Sequence, residues 1–124
     1  MNRLTLLSFF AAAVVAVGGV SCKKGPTTDA TQPLEQSFQA AEPEVKTAID
    51  TVTTSLKSRN YAEATRTLAP LVAQRPLTDQ QRQAVGMALK QINDAVAADP
   101  NLDTKEMYEM RAKMFKAVHS GPRF

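Results

Sequence analysis

The sequence predicts an all-α protein: a small antiparallel bundle of three to four helices, set behind an N-terminal leader and a flexible tether. Three observations predict it. No stretch alternates apolar and polar residues over the length a half-buried strand needs. Ala, Gln, Lys, Glu, Leu and Met dominate, and only Gly86 and Gly121 follow residue 25, a helix-forming composition. Apolar residues recur at helical spacing in segments that end at Pro, Gly or Asn. The expected organisation is a leader over 1–21, a tether over 22–33 and a helical domain over 34–124, enough chain for one modest core.

The leader comes first. Arg3 supplies a positive start, and Leu4 to Val17 is apolar apart from Thr5 and Ser8. That run of about 14 residues fits the h-region of an export signal and falls short of the ~20 needed to span a bilayer. Gly18-Gly19-Val20-Ser21 are small or β-branched, and the single cysteine, Cys22, follows directly. This stretch resembles the lipobox of bacterial lipoproteins, with Val20 and Ser21 suiting the two positions before the cut and Gly19 standing where that family most often has Leu. The resemblance implies cleavage before Cys22 and acylation of its thiol and new amino group, which makes Cys22 the lipidation site and membrane lipid its partner. Two or three acyl chains at ~0.8 kcal/mol per buried CH₂ anchor stably where one chain does not. Lipidation also removes an unpaired thiol from an oxidising compartment. Lys23, rather than Asp, follows the cysteine, which in that family favours the outer membrane, with the domain in the periplasm.

Charge narrows the partners. Arg3 leaves with the leader, so 14 of the 15 Lys/Arg face 12 Asp/Glu; without Lys23 and Lys24 the balance is 12 against 12. The basic isoelectric point is therefore no sign of nucleic-acid binding. From Lys23 to Pro33 the chain reads KKGPTTDATQP, with no large apolar residue to order it, so a flexible tether is expected. Leu34 to Ala41 places Leu34 and Phe38 at i and i+4, open to reading as a helical turn or two, or as an extension of the tether.

Four helices follow. The first, Pro43 to Ser58, opens on Pro and acidic residues suited to a helix start, and Val45, Ala48, Ile49, Val52 and Leu56 mark its apolar face. The second, Tyr61 to Ala73, turns Tyr61, Ala64, Leu68, Leu71 and Val72 inward; Pro70 predicts a kink or break near Arg66. The third starts at an N-cap, Thr78, with Gln81 placed to complete a capping box, and carries the cleanest stripe: Val85, Leu89, Ile92 and Val96. Gly86 beside that stripe suggests close approach of a neighbouring helix. The fourth is expected to be capped by Asp103, with Glu106 three residues on and Leu102 against Met107 as a staple. Met107, Met110, Met114 and Val118 form its inner face, with Tyr108 and Phe115 beside them, and Gly121-Pro122 stops it.

Asn60-Tyr61-Ala62-Glu63-Ala64, with Leu68, Leu71 and Pro76, resembles the second helix of a tetratricopeptide repeat. The aromatic, the Ala three later, the large apolar residue four beyond and the closing Pro all stand at that family's spacings. Val85, Gly86 and Leu89 match part of a following helix, while Ala48, Thr51, Val52 and Ser55 do not match the preceding one. The resemblance covers about one and a half repeats, fewer than the three a solenoid needs. It implies a repeat-like hairpin inside a closed bundle.

Candidate chemistry is sparse. His119 is the only histidine, so no histidine pair exists for a metal within one chain. Met107, Met110 and Met114 share one face, a spacing that soft thioether ligation of Cu(I) could use but that core filling explains as well. Asp94, Asp99 and Asp103 lack calcium-loop spacing and suit capping and turns. Gln80-Gln81-Arg82-Gln83, with Lys90 and Gln91, reads as solvated surface. No nucleophile motif, phosphate loop or carboxylate pair appears. No catalytic residue, metal or cofactor is expected. The expected function is a membrane-tethered interaction module for another envelope protein; the alternatives are a passive spacer and, more remotely, a Met-based metal carrier.

Overall fold

A computed structural model describes residues 26–121. The leader, Cys22 and the first residues of the tether lie outside the described residues. Within them the protein is all-α, with five helices: α1 (Thr31–Ser37), α2 (Pro43–Lys57), α3 (Tyr61–Ala73), α4 (Asp79–Ala98) and α5 (Lys105–His119), plus a 3₁₀ turn at Pro100–Leu102. Among the described residues no helix is long and apolar enough to cross a membrane.

Neighbour relations close a ring. α1 packs on α2 and α4, α2 on α3, α3 on α5, and α5 on α4, while α3 and α4 barely touch across the centre. Successive helices reverse direction, so α3 and α5 run the same way. Arg66, midway along α3, pairs with Glu106 in the first turn of α5, Nε to Oε1 at 3.0 Å, and Val72 and Ala117 share a cleft near the ends of the two helices. One hydrophobic core fills the ring, built from the apolar stripes of all five helices. Val85, Leu89, Ile92 and Val96 of α4 are all buried, as are Val45, Ile49, Val52 and Leu56 of α2.

Leu34 to Ser37 of the open segment at 34–41 belong to α1, residues 38–41 form the turn after it, and the helix begins at Thr31, earlier than the expected boundary at residue 33. Ala30, Leu34 and Phe38 are buried at i, i+4 and i+8, one helical face pressed on α2 and α4. Its partner surface includes α4, which is distant in sequence. Gln91 and Gln81, read as solvated, belong to it. Gln91 is buried and its Oε1 accepts the Ala30 N–H at 3.0 Å. Gln81 donates through Nε2 to the Ser37 carbonyl at 3.3 Å. One helix thus supplies a polar group to each end of the other. Asp29 completes the start of α1, its Oδ1 accepting from Thr31 N at 3.0 Å and Thr31 Oγ1 at 2.7 Å.

The capping box at Thr78 and Gln81 is formed in both directions, at 3.1 and 3.0 Å. At α5 the cap is Thr104, whose Oγ1 accepts from Met107 N at 3.1 Å, in place of the expected Asp103. Asp103 is held instead by Arg111, Nη2 to Oδ1 at 2.6 Å. Pro70 does not break α3, which continues to Ala73. Pro70 and Arg66 lie on the exposed face, where water can satisfy the carbonyl that Pro70 leaves unpaired. Between α2 and α3, Arg59 adopts φ 60°, and the N–H groups of Asn60 and Arg59 bond the carbonyls of Ser55 and Leu56 at 2.8 and 3.1 Å. This closing motif normally takes Gly at the left-handed position.

Candidate functional site

α5 carries two stripes. Met107 (2% exposed) and Met114 (0%) are buried in the core, and Met110 packs against it half-buried. The three thioethers therefore do not share an open face, and gap-filling among helices is their role. A second stripe runs through Tyr108, Ala112, Phe115 and His119 at i, i+4, i+7 and i+11. Tyr108 is 66% exposed and Phe115 56% exposed, so the two rings that the sequence sets beside the inner methionine face turn to solvent. The core stripe already faces α3 and α4, and positions 108 and 115 sit about one residue's rotation away, at roughly 100°.

These aromatics flank a groove of about 290 Å³ between α4 and α5, lined by Leu89, Asn93, Tyr108, Arg111, Ala112 and Phe115. Its polar edge is fixed. Arg111 donates to Asn93 Oδ1 at 3.0 Å, to Asp103 Oδ1 at 2.6 Å and, through Nε, to the Met107 carbonyl at 3.3 Å. That set locks a long side chain across the α4–α5 seam. His119 extends the apolar end: its ring stacks on Phe115 at a centroid distance of 4.0 Å and an interplanar angle of 29°. Its Nδ1 lies 2.8 Å from the Phe115 carbonyl, which only accepts, so Nδ1 carries the proton. The histidine is thereby a brace for Phe115.

A second concavity, of about 400 Å³, opens where α3 ends, α4 begins and α5 ends. Val72, Leu77 and Ala117 contribute apolar surface, and Arg75, Arg82, Lys113 and Lys116 stand around it. Nothing in the sequence order groups these cations; Arg75 lies in a loop, and the lysines lie 38 and 41 positions further on.

The acidic cluster separates into structural roles. Asp94 pairs with Lys90 at 2.8 Å, Asp99 Oδ1 accepts from Asn101 N at 3.1 Å in the 3₁₀ turn, and Asp103 holds Arg111. Among the described residues no group of three or more His, Cys, Asp or Glu side chains is placed to hold a metal ion. Two carboxylates have pKa values below their ordinary range. Hydrogen bonds from Thr31 lower that of Asp29; the hydrogen bond and charge of Arg66 lower that of Glu106.

Comparison of the chain with protein-family models, with curated proteins and with solved structures finds no match in any of the three.

Proposed function

We propose that this protein is an envelope lipoprotein, anchored through acylated Cys22, whose helical domain is a non-enzymatic module that binds another envelope protein through the α4–α5 groove. The observation that carries the binding half is the outward placement of Tyr108 and Phe115 around that groove. Aromatic residues and Arg dominate the energetics of protein interfaces, where a small apolar centre is surrounded by fixed polar groups. Leu89, Ala112 and the two rings supply such a centre, and Arg111 with Asn93 supplies the polar edge. The fitting occupant is the apolar face of a partner helix, which lies along a seam between two helices with its own side chains at helical spacing. A passive spacer has no use for two exposed aromatics, one of them stacked on a histidine. The anchor half rests on the apolar run at 4–17 and the lipobox-like Gly19-Val20-Ser21-Cys22. The resemblance behind it favours the outer membrane, with the domain in the periplasm.

The test is a paired substitution, Tyr108→Ala with Phe115→Ala. Both side chains are exposed, so the domain stays folded by circular dichroism while partner capture in the native envelope falls by at least about tenfold, as for removal of hot-spot residues. Undiminished capture by a folded double variant would refute the groove as the binding face.

A further inference from the structure

We infer that the cleft between the ends of α3 and α5 is a second binding site, for a small organic anion that carries an apolar portion. Lys57, Arg66, Arg82, Lys90, Lys105 and Arg111 each have a carboxylate within 4.0 Å. Among the described residues that leaves Lys46, Arg59, Arg75, Lys113 and Lys116 without one, and three of these five converge on this cleft. Arg82 builds its wall. It donates to the Leu77 carbonyl at 3.0 Å, pairs with Asp79, and lies so close over Gly121 that a Cβ there would stand 2.8 Å from its guanidinium carbon.

The arrangement is not accounted for by helix ends. A macrodipole acts within the last turn; Lys116 lies in the last turn of α5, but Lys113 lies six residues before its end and Arg75 lies outside any helix. Three cations without a carboxylate partner among the described residues line one partly apolar concavity, and a bound anion would pair with them. The apolar floor of Val72, Leu77 and Ala117 rewards a ligand with hydrocarbon attached to its acid group, and about 400 Å³ is the size of a small-molecule pocket. The site is independent of the aromatic groove and of the membrane anchor.

The experiment is an NMR titration of the ¹⁵N-labelled full chain carrying Cys22→Ser, with hexyl phosphate, inorganic phosphate, hexanol and the soluble lipid dihexanoyl phosphatidic acid. Hexyl phosphate is expected to shift the amides around Val72, Leu77 and Ala117, and to bind at least about tenfold more tightly than either inorganic phosphate or hexanol. Lys113→Gln with Lys116→Gln, both exposed, is expected to weaken it about tenfold without loss of fold. Tighter binding of the lipid than of hexyl phosphate identifies a membrane source for the ligand; the reverse identifies a free one. Equal binding by hexanol, an unchanged affinity in the double variant, or shifts confined to Leu89, Asn93, Tyr108, Arg111, Ala112 and Phe115 would overturn the inference.

Discussion

The Gln91 carboxamide accepts the Ala30 backbone N–H at 3.0 Å across 61 positions of sequence. Both residues are buried, at 7% and 0% exposure. This bond ties the start of α1 to α4: the N-cap residue, Ala30, has no side chain that can cap the helix, and Asp29 supplies only the local bonds to Thr31. Gln91→Met keeps the length of the side chain and removes the acceptor. A buried N–H without a partner costs about 1–3 kcal/mol, so the variant is expected to melt at least about 4 °C lower. Amide exchange at residues 30–38 should accelerate more than in α4. Unchanged melting and unchanged protection of α1 would count against this role.

Asp29 supplies a pH dependence of defined sign. Its folded-state pKa is lowered, first by the Thr31 hydroxyl and then by the Thr31 N–H. A lowered carboxylate pKa stabilises the fold above the unfolded value, near 3.9, and that contribution disappears as the pH falls through the folded value. Carboxyl NMR should therefore place the Asp29 midpoint below the ordinary aspartate value, and Thr31→Val should move it upward. A midpoint insensitive to Thr31→Val would contradict the assignment of cause.

Gly86 tests the packing of α4 on α5. A Cβ there would meet Val118 Cγ1 at 3.7 Å, ordinary van der Waals contact, so the close approach suggested by the sequence is not tight enough to require glycine. Gly86→Ala is expected to stabilise the domain by up to about 1 kcal/mol through helix propensity, read as a higher urea midpoint with an unchanged slope. Destabilisation would mean that the seam is tighter than these distances.

Cys22 carries the anchor proposal. Cys22→Ser is expected to move the protein from the membrane fraction to the soluble fraction and to abolish incorporation of labelled palmitate. Retention of either property by the variant would refute acylation at this position.

The helical stripes of α2, α3 and α4 were legible because each is a local pattern: Val85, Leu89, Ile92 and Val96 declare their face without reference to anything else. The Thr78–Gln81 box was legible for the same reason. What escaped depended on a distant surface. α1 is too short to announce itself, being seven residues long, and its ends are held by Gln91 and Gln81, whose polarity suggested solvent. Tyr108 and Phe115 stand beside the methionine face in the sequence, which leaves open how far they turn inward; the methionine stripe occupies the inward face, and they fall outside it. The basic cleft could not be read at all, because Arg75 meets Lys113 and Lys116 only through the parallel packing of α3 and α5. The cap of α5 was missed by one residue, since Asp103 is drawn away by Arg111 and Thr104 takes its place.

The central claim is that the Tyr108–Phe115 face contacts a partner in the envelope. A photo-crosslinking residue placed at Ala112, between the two rings, tests it most directly, with the same residue at exposed Thr51 on α2 as the control. One discrete adduct is expected from position 112, lost with Phe115→Glu, and none from position 51. No adduct at 112, or the same adducts from both positions, would contradict it.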